Sequence, residues 1–114
     1  MNTPKLPPSS HTPTKYTGPS AAEVLAQRRK FLNPGVFLYY REPIMLVEGK
    51  LQYVWDDQGK RYLDGLGGIV TISVGHCHPH VVAAANQQNE TLQHSTTIYL
   101  HPNVGAYAEK LASK

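Results

Sequence analysis

The sequence predicts an α/β chain with a leading helix, a small antiparallel meander and further helices. Three observations predict it. A helix-capping box stands at Ser20-Ala21-Ala22-Glu23, the apolar period becomes that of strands over residues 36–64, and a weakly apolar helical stripe starts at Pro79.

Residues 1–19 are rich in Pro, Thr and Ser and almost free of aliphatic side chains, so they are expected to form a flexible arm outside the fold. The ordered part is expected to begin at Ser20, whose hydroxyl pairs with a backbone amide while Glu23 reaches back to the cap. Val24, Leu25, Phe31 and Leu32 share one helix face, and Asn33-Pro34-Gly35 ends it. Four strand-like runs follow: 36–40, 44–47, 51–55 and 60–63. Glu48-Gly49-Lys50 and Asp56-Asp57-Gln58-Gly59 read as the turns between them. Such a meander is marginal unless one face is covered.

Gly65, Gly67 and Gly68 open a crossing, residues 69–74 are apolar, and Gly75-His76-Cys77-His78-Pro79 is a turn into the next helix. Proline suits the first helical position, with His78 as cap and an end near His94. Residues 96–100 read as extended. Val104, Tyr107, Ala108 and Leu111 then mark a last helix whose apolar face has no later element in the sequence to cover it, which suggests a larger fold.

The 114 residues carry a net charge of +3, but Arg28-Arg29-Lys30 is the only basic run, and it reads as a solvated helix face rather than a nucleic-acid surface. The single cysteine, Cys77, rules out an intramolecular disulfide framework and points to a reducing compartment or indifference to oxidation. No apolar run approaches the ~20 residues that span a bilayer, so a membrane role is not expected. The first segment lacks both the apolar core of a secretory signal and the arginines of a mitochondrial presequence.

Local chemistry gives no catalytic set. His76, Cys77, His78 and His80 are zinc-type ligands crowded on one turn, a spacing that rarely turns all of them toward one ion, so no metal is assigned. Cys77 has no orienting group or oxyanion donor and reads as a buried structural thiol. Asp56 and Asp57 read as turn formers. The glycines at 65, 67 and 68 lack the helix start and the Gly-Lys-Ser/Thr ending of a phosphate loop, so they read as backbone freedom.

The run VEGKLQYVWDDQGKRYLDGLGGIVTISVGHCHPH, residues 47–80, closely resembles the amino-terminal signature of the class III (omega) aminotransferases. The elements that carry the resemblance are Tyr53, Trp55, Asp56, Gly59, Tyr62, Asp64, Gly75, His76, His78 and Pro79. It extends from about Tyr16 to Lys114. Within the class, residues 68–70, 75–79 and 92–101 look most like the plant mitochondrial branch that transfers an amino group from alanine to glyoxylate. Relatives acting on ornithine, 4-aminobutyrate or β-alanine share the same hairpin.

The resemblance implies a fragment of the type I pyridoxal-phosphate transferase fold, with residues 20–114 as its amino-terminal segment. It implies pyridoxal phosphate as cofactor of the full-length enzyme, amino acid and 2-oxo acid substrates, and a dimer or higher homo-oligomer joined near residues 94–101. It also implies a mitochondrial location, with the cytoplasm as the alternative. Tyr39, with Pro43 as its matching proline, falls where a tyrosine lines the substrate path, and Ile69 falls at a gate position. The family's phosphate-cradling loop, pyridine-pairing aspartate and aldimine lysine belong to later sequence. Lys5, Lys15, Lys30, Lys50, Lys60, Lys110 and Lys114 match none of that context, so no catalytic or cofactor-binding residue is assigned and the chain alone is expected to be inactive. A short non-catalytic isoform that pairs with full-length subunits, and a small zinc module on the histidine turn, are the alternative readings.

Overall fold

The structure, a computed structural model, describes Lys5 and residues 7–114, which divide into two compact units, Met1–His78 and Pro79–Lys114. In the first unit, helix α1 (Ala21–Phe31) begins at the expected box: the Ser20 hydroxyl accepts from the Glu23 amide, and Glu23 Oε2 accepts from the Ser20 amide at 2.8 Å. The Ser20 hydroxyl, which donates to Glu23 Oε2 at 2.7 Å, and then the Ser20 amide hold the Glu23 carboxyl below its ordinary pKa. Leu32 ends the helix in extended geometry, just before Asn33-Pro34-Gly35.

Three antiparallel strands follow in the order β1 (Leu46–Lys50), β2 (Tyr53–Asp56) and β3 (Arg61–Leu63). The second expected turn is in place. Asp56 Oδ1 accepts from the amides of Gln58 and Lys60 at 3.0 and 2.9 Å, and Gly59 takes a φ of +77°. Burial pushes the Asp56 carboxyl up, but the Tyr62 hydroxyl at 2.8 Å and those two amides hold it below its ordinary value.

Two expectations fail here. Residues 36–40 form bends rather than a strand, with Phe37, Tyr39 and Tyr40 exposed. A strand needs a neighbour for its hydrogen bonds, and β propensity alone does not supply one. The first turn lies at Leu51-Gln52, since Gly49 and Lys50 still pair with Val54 and Tyr53. Gly49 is a strand residue because the His76 side chain lies against it, and a Cβ there would stand 2.9 Å from His76 Cβ.

Among the described residues the core consists of three consecutive β2 residues, Tyr53, Val54 and Trp55, at 0, 6 and 2 % exposure. Consecutive strand residues face opposite ways, so both faces of β2 are covered. Part of that cover comes from the amino-terminal segment. The Tyr53 hydroxyl donates to the Pro7 carbonyl, and the His11 ring stands edge-on to Trp55 at 5.0 Å. Glu48 pairs with His11 and accepts from the Thr14 amide at 2.8 Å, and these bonds, that of His11 foremost, hold its carboxyl low. Residues 1–4 and 6 of the proposed arm lie outside the described residues; residues 7–19 contain no helix or strand, and 7–14 run against the sheet.

A one-turn element, α2 (Gly67–Val70), leads to the histidine turn. The second unit holds α3 (Pro79–Thr91), three residues shorter than expected, and α4 (Pro102–Ala112), capped by His101 Nδ1, which accepts from the Asn103 amide at 3.2 Å. Residues 96–100 are turn-like rather than extended. Within this unit the Asn103 amide group donates to Gln88 Oε1 at 2.9 Å. Val104, Tyr107 and Leu111 of α4 are exposed.

Candidate functional site

Asp64, at the end of the hairpin, and His76, in the histidine turn, meet. His76 Nε2 lies 2.7 Å from Asp64 Oδ2, and Asp64 Oδ1 accepts from the amides of Leu66 and Gly67, both at 2.9 Å. The His76 hydrogen bond, then the Gly67 and Leu66 amides, hold the Asp64 carboxyl below its ordinary pKa. An ionised carboxylate only accepts, so the imidazole proton in this bond sits on Nε2. His76 is itself fixed to the hairpin: Leu51 and His76 exchange backbone hydrogen bonds of 2.7 and 2.8 Å. That exchange holds Leu51 at a φ of +50°, an uncommon value for a residue other than glycine.

The segment fixed by Asp64 is α2, whose four residues all have positive φ: Gly67 at 58°, Gly68 at 62°, Ile69 at 60° and Val70 at 58°. It is a single left-handed turn. Glycine adopts this region freely, but a left-handed conformation costs other L-residues roughly 1–2 kcal/mol each. Packing does not offset that cost, because Ile69 is 77 % exposed and Val70 83 %. Hydrogen bonds do: the Val70 amide to Leu66 O at 3.1 Å, the Ile72 amide to Gly67 O at 2.9 Å and the Thr71 hydroxyl to Gly68 O at 2.6 Å. Ile69 is thus held outward by polar contacts.

Tyr39 is 86 % exposed and meets the Tyr40 ring edge-on at 5.3 Å. Tyr40, rather than Tyr39, helps line a cleft of about 360 Å³ whose wall includes Arg28, Arg29 and Arg41. A second, about 540 Å³, lies between Asp64, Gly67, Ile72, Gly75, His76 and His78. His78 Nδ1, buried without a hydrogen-bond partner, belongs to the same neighbourhood.

Cys77 corrects an expectation. It is an exposed free thiol, not a buried one. The core is confined to Tyr53, Val54 and Trp55 of β2, and Cys77, at a φ of +49°, is no part of it. Among the described residues no group of three His, Cys, Asp or Glu side chains is arranged to hold a metal ion. Among the described residues no helix is long and apolar enough to cross a membrane. Sequence reasoning also missed the Asp64–His76 pair as a unit; its signal was their joint presence in the signature, twelve residues apart.

Comparison with known proteins fits this geometry to a class. The ornithine aminotransferase from Toxoplasma gondii ME49 superposes with a TM-score of 0.71 at 30 % identity, over 83 % of this chain and 22 % of that one. A phospholyase from Arthrobacter, solved in complex with phosphoethanolamine, gives 0.72 at 42 % identity over 80 % and 21 %. The fold is therefore a segment of the type I pyridoxal-phosphate transferase fold. Residues 39–114 match the family Aminotransferase class-III, and the chain belongs to that family.

The chain is 47 % identical over 110 residues to "Alanine--glyoxylate aminotransferase 2 homolog 2, mitochondrial" of Arabidopsis thaliana, covering 96 % of this chain and 23 % of the relative. The human "Alanine--glyoxylate aminotransferase 2, mitochondrial" is 42 % identical over 110 residues, covering 96 % and 21 %. The acetylornithine aminotransferase of Thermosynechococcus vestitus is 45 % identical over 75 residues, covering 66 % and 18 %. The chain thus spans roughly a fifth of the length of these relatives.

Class-III aminotransferases are pyridoxal-phosphate enzymes, and the cofactor supplies an electron sink for amino transfer. The described residues do not fit a site for it. Lys50 is half-buried, every other described lysine is exposed, and no polar or charged residue is buried, so none offers the desolvated amine that a carbonyl-bearing cofactor requires.

Proposed function

We propose that this chain is the substrate-side, amino-terminal part of a transaminase that moves an amino group from alanine to glyoxylate, with pyruvate and glycine as products. The observation that carries the reading is the extent of similarity. The alanine–glyoxylate relatives align over 96 % of the chain, the acetylornithine relative over 66 %. In this reading Ile69 narrows the substrate path without adding polarity, and Tyr39 forms a wall with a hydroxyl for a carboxylate or amine. Both project from the surface, as residues facing another part of the protein or a partner would. Residues 94–101 contribute the surface for a second subunit, and the compartment is the mitochondrion, named for these relatives.

The test is a chimera in which residues 1–114 replace the corresponding segment of the Arabidopsis thaliana relative. Alanine–glyoxylate turnover close to that of the parent enzyme is the expected result. A chimera that prefers N-acetylornithine as donor overturns the assignment.

A second reading, a non-catalytic short form that pairs with full-length subunits, draws on the exposure of Ile98, Tyr99 and Leu100. Co-purification of the tagged chain with a complete class-III subunit supports it; a chain that never associates removes it.

A further inference from the structure

We propose that His76 is a positioning residue for substrate selection, acting through Asp64 to hold Ile69 in the left-handed turn. The inference rests on the reading of Ile69 as a substrate-side residue and adds what keeps it there.

The chain of contacts is continuous. His76 is anchored at its backbone by the two hydrogen bonds with Leu51, and its Cβ and ring lie against Gly49 with no space for a Cβ. Its Nε2–H is thereby aimed at Asp64 Oδ2, at 2.7 Å. A carboxylate with one oxygen so fixed has its other oxygen oriented as well, and Oδ1 receives the amides of Leu66 and Gly67. Those amides open the turn, and the turn carries Ile69.

Two features make the relay matter. Ile69 and Val70 are β-branched residues at φ of 60° and 58°, so the turn relaxes when its hydrogen bonds weaken. Both are also exposed, so no apolar packing in this unit holds them in place. Without the imidazole, Asp64 is free to rotate toward water and the Leu66 and Gly67 amides lose a fixed acceptor. A gate built this way is set from the hairpin rather than by its own packing.

The test uses the full chain, nitrogen-15 labelled, as parent, His76→Ala and His76→Gln. Glutamine places an N–H donor near the position of Nε2; alanine places none. The readout is the intraresidue amide-to-Hα Overhauser contact of Ile69 and Val70, strong at φ near +60°. Cross-strand contacts of the Tyr53–Leu63 and Glu48–Trp55 pairs report the sheet. His76→Ala is expected to lower the ratio of left-handed to other conformers at Ile69 about tenfold, as loss of a charge-assisted hydrogen bond implies. His76→Gln is expected to restore it with the sheet contacts intact. A His76→Ala chain that keeps the left-handed signature overturns the proposal, and so does a His76→Gln chain that loses either the signature or the sheet. The readout contains no substrate, so failure of the alanine–glyoxylate assignment leaves it unchanged.

Discussion

Replacing Gly49 by alanine tests the packing of the histidine turn on the hairpin. The backbone of Gly49 is not at positive φ, so alanine meets no conformational penalty there. Its Cβ would stand 2.9 Å from both Cβ and Cγ of His76 and 3.1 Å from Nδ1. Carbon atoms prefer about 3.5–4.0 Å, so His76 must retreat by roughly 0.5–1 Å. Its first two side-chain atoms cannot swing away as the end of a long chain can, so the 2.7 Å bond to Asp64 is stretched. Overpacking costs about 1–3 kcal/mol, and the smaller unfolded-state entropy of alanine returns about 0.4–1 kcal/mol. A net loss of about 1–2 kcal/mol is predicted. Urea unfolding followed by the fluorescence of Trp55, the one tryptophan and 2 % exposed, measures it. Gly65→Ala, with nothing within 4 Å and no positive φ, is the control and should be neutral or slightly stabilising. A Gly49→Ala chain as stable as Gly65→Ala refutes the reasoning.

Acid should loosen the turn that Asp64 anchors. Because the folded Asp64 pKa is depressed, its contribution is full above the unfolded value of about 3.9 and is lost as pH falls through the lower folded value; Leu66 and Gly67 amide shifts that stay fixed through that range contradict it. Ser20→Ala removes the α1 cap and should cost that helix about 1 kcal/mol, read as lower helicity by circular dichroism; unchanged helicity counts against the box. Ile69→Gly relieves a left-handed isoleucine and should raise unfolding stability by up to about 1 kcal/mol, whereas a loss in the urea assay means the side chain is held by packing. Cys77 should react with a thiol reagent at one equivalent without denaturant, and a thiol that appears only on unfolding contradicts its exposure.

Features decided by neighbouring residues in the sequence were legible. The Ser20–Glu23 box and the Asp56 turn depend on groups within four positions of each other, and both form as read. Pro79 likewise opens the helix expected of it. What was not legible depends on distant partners. Gly49 looks like a turn glycine until His76, twenty-seven positions later, needs its missing Cβ. Residues 36–40 have strand composition but no strand to pair with. The left-handed Ile69 and Val70 run against the preference of β-branched residues, and the turn depends on its own hydrogen bonds together with the Asp64 acceptor, which His76 fixes from twelve positions away. At the candidate site, the signature located Asp64 and His76 without showing that they touch, and Tyr39 and Ile69 rest on family resemblance alone.

The most direct measurement of the account is donor and acceptor kinetics of the chimera carrying residues 1–114, with and without Ile69→Tyr. If Ile69 narrows the substrate path, tyrosine lowers kcat/KM for alanine and glyoxylate by about tenfold, the scale of a pocket contact worth 1–3 kcal/mol. Unchanged kinetics for alanine and glyoxylate would contradict the placement of this segment on the substrate side.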